Sequence, residues 1–141
     1  MKQKIIKKFQ LRGYREKEFF KVLIYDSLEE MRKDASDYTK EKIIDALGIV
    51  HPYTRIKIDP GKSEIQLHNI GIIRLVKDRL HTHIIAHELV HAAMWHYRLT
   101  QPNRRATFGK GVTEAEEAFG MIYAKYFSSM SRQLYRFGFW K

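Results

Sequence analysis

The sequence predicts an α+β fold: a small, mainly antiparallel sheet packed on one buried helix and on a long C-terminal helix. Three observations carry this expectation. Short runs of strand character fall in the first half of the chain, around a single helical stretch. Residues 81–98, HTHIIAHELVHAAMWHYR, form one helical run that is apolar nearly all the way round. A last helical run extends from about Thr113 to Tyr135. Strands grouped ahead of helices, and not alternating with them, point to α+β. With 141 residues and 44% hydrophobic side chains, one domain over 1–141 can supply a core.

The elements follow in order. EFFKVLIY (18–25) is rich in β-formers and ends at Asp26. Ser27 then offers an N-cap with Glu30 three residues on, a capping box that opens a helix. That helix, or a broken pair, runs through Met31, Ala35, Ile43, Ile44 and Leu47 and stops near Gly48. TRIKID (54–59) alternates with period two and reads as a strand, followed by a turn at Pro60–Gly61. EIQLHNIGIIRLV (64–76) supplies one or two further strands, with Gly71 as a bulge or bend. The 81–98 helix comes next, then the loop TQPNRRATFGKG, then the long last helix.

Composition narrows the functional classes. No apolar run reaches the length of a membrane span, and the basic start MKQKIIKKFQLRGYR lacks the apolar stretch of a secretory leader, so a cytoplasmic protein is expected. Zero cysteines exclude disulfides, thiol catalysis and cysteine-ligated zinc. The net charge is +10, from 26 Lys and Arg against 16 Asp and Glu. Residues 1–25 hold eight of the basic side chains against only Glu16 and Glu18, and the stretch 98–110 carries Arg98, Arg104, Arg105 and Lys110 with no acid. Such a field attracts nucleic acid or acidic partners, and serves equally as a solubilising surface.

The 81–98 helix carries the chemistry. Four residues apart on a helix, His87 and His91 are separated by about 6 Å of rise at nearly the same angle. Both imidazoles can therefore point a nitrogen at one ion, while Glu88 on the adjoining flank reaches a water held there. This is the HExxH arrangement of two zinc ligands and a general base. Chance placement gives roughly 0.02 such motifs in a chain of this length and composition. A bound cation would also offset the burial of polar groups in an apolar helix. His83, one turn earlier, extends the row to about 12 Å, too far for one ion.

A catalytic zinc needs a third protein ligand and an open position. Met94 and Tyr97 stand where a Gly and a third His would continue the motif, and no histidine follows His96, so a later carboxylate is expected. GVTEAEEAFG offers Glu114, Glu116 and Glu117. Glu116 completes a capping box with Thr113, and Glu114 lies in the first turn, where the helix dipole favours it. Glu117 is clear of both roles and shares a stripe with the small residues Gly120, Ala124 and Ser128, which would let this helix approach Ala92 and Ala93. Glu117 is therefore favoured by its helix face, with Glu114 and Glu116 as alternatives.

HELVH, with a glutamate 26 positions after its second histidine in an E-E-A-F helix, resembles a minimal gluzincin. More narrowly, residues 83–124 are similar to short HExxH metallopeptidase-like proteins of phages and mobile elements. The resemblance implies a zincin-like fold, with zinc on His87, His91 and Glu117 and with Glu88 as the base. Beyond Glu117 the chain reads Ala118-Phe119-Gly120-Met121, departing from the E-A-N-x-F-A of repressor-cleaving relatives.

The expected activity is hydrolysis of a peptide bond in a protein or peptide substrate by a zinc-activated water. Contacts to the oxyanion or substrate are expected from His96, Tyr97, Tyr123 or an arginine of 98–110, and NIGIIRLV is a candidate for strand addition of peptide. From another class comes a basic nucleic-acid-associated or phage-related binding protein whose zinc site is structural or degenerate.

Overall fold

The computed structural model describes residues 5–12, 18–40, 43, 46–52, 68–100 and 113–141. Four strands and three α-helices occur among them: β1 (Ile5–Arg12), β2 (Glu18–Tyr25), α1 (Leu28–Thr39), β3 (Ile49–Pro52), β4 (His68–Val76), α2 (Thr82–Thr100) and α3 (Thr113–Arg136). The strands form one sheet in the order β1-β2-β4-β3. Its outer pairings are antiparallel and the central β2–β4 pairing is parallel, so the sheet is mixed. The fold is α+β; none of its described helices is long and apolar enough to cross a membrane.

The central strands are buried on both faces, which explains why β2 reads as a near-continuous apolar run. One face presents Phe20, Val22, Ile24, Ile73 and Leu75 to α2 and α3. The other presents Leu23, Tyr25, Ile72 and Val76 to Met31 of α1. Ser27 caps α1 as expected: its hydroxyl accepts from the Glu30 amide at 3.2 Å and lies 3.1 Å from the Glu30 carboxylate. The helix ends earlier than the sequence suggests, because Lys40 takes the left-handed conformation (φ 63°).

Two strands escape the sequence reading. β1 alternates half-buried and exposed positions with two lysines, and β3 has four residues and ends in proline, so neither shows a strong apolar period. The region 64–76 contributes one strand among the described residues, and TRIKID lies outside them. The expected irregularity at Gly71 is present. Ile70 is the extra residue where Phe19 pairs with Asn69 and Phe20 with Gly71. The freed Ile70 carbonyl accepts from the Trp95 indole at 3.2 Å.

A buried polar network fixes β3 at the sheet edge. Arg74 on β4 is 3% exposed. It donates to the Tyr25 hydroxyl at 3.2 Å, contacts His51 Nδ1 on β3, and lies 3.6 Å from Asp34 of α1. The guanidinium also covers the ring of Tyr38, which stacks on His51.

Candidate metal centre

Helix α2 buries Ile85, Leu89, Ala92 and Ala93 against the sheet and α3. His83, His87, His91 and Arg98 recur at helical spacing on the opposite side and are exposed. The polar row is therefore not buried inside the domain, as the all-round apolar character of the helix suggests. Of the motif's three polar side chains only Glu88 is buried, at 7% exposure. The histidines instead open into a cleft of about 460 Å³ between α2 and the segment Gly48–Pro52.

Within this cleft His87 Nε2 and His91 Nε2 stand 3.3 Å apart. Two bonds of about 2.0–2.1 Å meeting near the tetrahedral angle place their nitrogens about 3.3–3.4 Å apart. The pair thus has the spacing of one edge of a zinc tetrahedron. The same spacing lets one neutral imidazole donate to the other, so the arrangement is tolerable without an ion as well.

Glu88 shares the cleft and packs beneath Gly48, where a β-carbon would stand 2.9 Å from Glu88 Cγ and 3.3 Å from Cδ. Burial raises its carboxyl above the ordinary range, and the neighbouring His87 partly opposes that shift. A proton acceptor thus sits one residue from the first histidine, in a pocket walled by Val50, Met94 and Trp95.

The expected third ligand is not brought to the pair. His96 contacts Tyr126, and the Trp140 indole donates to the Leu80 carbonyl, so α2 and α3 run antiparallel. Glu117 lies nine residues before Tyr126 while His91 lies five before His96, which separates them by about 20 Å along the helices. Glu117 is also exposed, as are Gly120, Ala124 and Ser128. The stripe that favours it in the sequence faces solvent; Ile122, Tyr126, Met130 and Leu134 face the core instead. Glu116 is exposed too, and the side chain of Glu114 lies outside the described residues. Among the described residues no three histidine or acidic side chains group around a common ion position.

The expected oxyanion contacts also need correction. His96 has no exposed surface; Nδ1 meets the Tyr126 hydroxyl and Nε2 lies 2.9 Å from Glu18. Tyr97 is 2% exposed, and Tyr123 is half-buried against the core. None of the three lines the cleft, so none is placed to touch a substrate there. Arg98 does line it, the one candidate donor from 98–110 that the structure places there; Arg104 and Arg105 lie outside the described residues. Trp95 and Met94 escape the sequence reading, although the spacings of three, four and seven from His91 put Met94, Trp95 and Arg98 beside it.

The strand expected to receive peptide is also reassigned. β4 is paired on both sides, by β2 and β3, and has no free edge. The edge strand beside the histidines is β3. No family model, curated protein or solved structure matches this chain.

Proposed function

We propose that the protein is a zinc-dependent HExxH metallopeptidase of zincin-like fold, using the cleft between β3 and α2. The observation that carries this reading is the 3.3 Å separation of the His87 and His91 Nε2 atoms with Glu88 buried alongside. His87 and His91 would hold the ion. When bound, zinc supplies Lewis-acid polarisation and a water of lowered pKa.

The side chains do the rest. Glu88, held beneath Gly48, takes a proton from water in the cleft and returns it to the departing amine. Its raised pKa brings it closer to neutrality, which suits both transfers. Arg98 supplies positive charge at the cleft, where negative charge develops on the substrate carbonyl oxygen. An extended peptide would lie along the outer edge of β3, adding a strand to the sheet.

A second reading is a degenerate or structural zinc site in a basic nucleic-acid-associated or phage-related protein. It is favoured by the absence of a third ligand beside the pair among the described residues. Zinc-dependent cutting of a mixed peptide library, read by mass spectrometry, separates the two. The peptidase reading requires cleavage by wild type that is lost in Glu88→Gln while zinc is retained. Zinc binding with no cleavage of any library or protein substrate would favour the second.

A further inference from the structure

A second concavity lies at the opposite edge of the sheet from the histidines. It is a groove of about 670 Å³ between β1 and α3, lined by Arg12, Lys125, Arg132 and Arg136 together with Gln10 and Gln133. We propose that this groove binds the phosphodiester backbone of nucleic acid.

The charge arrangement favours a linear polyanion. Lys125, Ser129, Arg132 and Arg136 recur at helical spacing on one face of α3. They extend over about 16 Å of helix axis, whereas one DNA strand carries a phosphate about every 3.4 Å of its own axis. The row is thus long enough for several phosphates, and Arg12 faces it from the end of β1.

These cations also lack counter-charges among the described residues. Arg74 lies near Asp34, and Lys77 pairs with Asp26 at 2.7 Å. Among the described residues no carboxylate pairs with Arg12, Lys125, Arg132 or Arg136, and no acid lines the groove. Like charges crowded round one concavity attract anions strongly.

The neutral lining narrows the partner further. Gln10, Gln133 and Ser129 are donors suited to phosphate and sugar oxygens. Among the described residues no aromatic ring lines the groove to stack bases, which favours contacts to backbone charge over contacts to bases. Among the described residues no apolar side chain lines it either, so the described lining offers no anchor of the kind a membrane-surface site uses. Because β1 and β3 are opposite edges of the sheet, bound nucleic acid would leave the histidine cleft open. The site stands whether or not that cleft is hydrolytic.

The test is fluorescence anisotropy with a labelled mixed-sequence DNA duplex over a salt series. The variant Lys125→Gln/Arg132→Gln/Arg136→Gln is compared with the control Lys33→Gln/Lys40→Gln/Arg79→Gln. The control residues are exposed; Lys33 lies on α1 and Lys40 caps it, across the sheet from the groove. The groove variant should weaken binding at least about tenfold and flatten the salt slope by about 2–3, since each phosphate left without its cation removes about 0.9 from the slope. The control should stay within about twofold of wild type, with both variants melting as wild type does. Arg12→Gln alone should weaken binding from the β1 side, independently of α3. Equal losses in groove and control variants, no binding by wild type, or a groove-dependent preference for phosphatidylserine vesicles or polyglutamate over DNA would each overturn the proposal.

Discussion

Gly48 and Glu88 are in direct contact: a β-carbon on Gly48 would stand 2.9 Å from Glu88 Cγ. The glycine makes room for the carboxylate, which has to be buried and yet reach the cleft. Gly48→Ala should therefore displace Glu88 at a cost of about 1–2 kcal/mol. Cleavage should fall by more than the lost folded fraction explains, in parallel with Glu88→Gln. Thermal melts and library cleavage measured on the same preparations check this.

Gly71 has a different neighbour. A β-carbon there would meet Phe20 Cε1 at 2.6 Å and the His51 backbone oxygen at 2.7 Å. The second contact is backbone in the paired strand β3 and cannot rotate away. Gly71→Ala should cost about 3 kcal/mol, near the upper end of overpacking penalties, and loosen β3 from β4. Urea denaturation measures the loss, and faster amide exchange at Val50 reports the loosened edge.

His51 gives stability a pH dependence. Its pKa is lowered to about 4, by burial first and then by Arg74, with Asp34 opposing. Against an unfolded value near 6.5, the unfolded chain binds more protons between about pH 4 and 6.5. The contribution of neutral His51 is therefore complete above about pH 6.5 and is lost as pH falls toward 4. His51→Gln, which can still accept from Arg74, should flatten the stability profile in that window. An unchanged slope would show that His51 is not the titrating group.

His96 and Tyr126 join α2 to α3 inside the core. Tyr126→Phe removes the hydroxyl and leaves His96 Nδ1 without it, which should cost about 1–3 kcal/mol. Zinc content and cleavage per folded molecule should not change. A selective loss of cleavage would restore His96 as a contact to substrate.

Much of this was legible in the residues, for physical reasons. The capping box at Ser27 and Glu30 is a local signal and survived folding. The extents of α2 and α3 follow from helical periodicity and from the loop between them. The HExxH spacing determined that His87 and His91 would meet. What failed depended on which helix face turns inward. The small residues Gly120, Ala124 and Ser128 beside Glu117 suit close packing and solvent equally, and in α3 the aromatic and aliphatic row from Ile122 to Leu134 took the core. His96, Tyr97 and Tyr123 look like catalytic donors by residue type, yet they sit on inward faces. Glu88 is the reverse case: a charged residue type that the packing does bury.

The most direct test is zinc content after dialysis, by plasma mass spectrometry, for wild type, His91→Ala and Glu117→Ala. The expected result is about one zinc per wild-type chain, lost in His91→Ala and kept in Glu117→Ala, in keeping with two histidine ligands and a glutamate that faces away. Loss of zinc in Glu117→Ala would contradict the antiparallel packing of α2 on α3. Wild-type protein that takes up no zinc even on resupply, or zinc retained in His91→Ala, would contradict the metal centre itself.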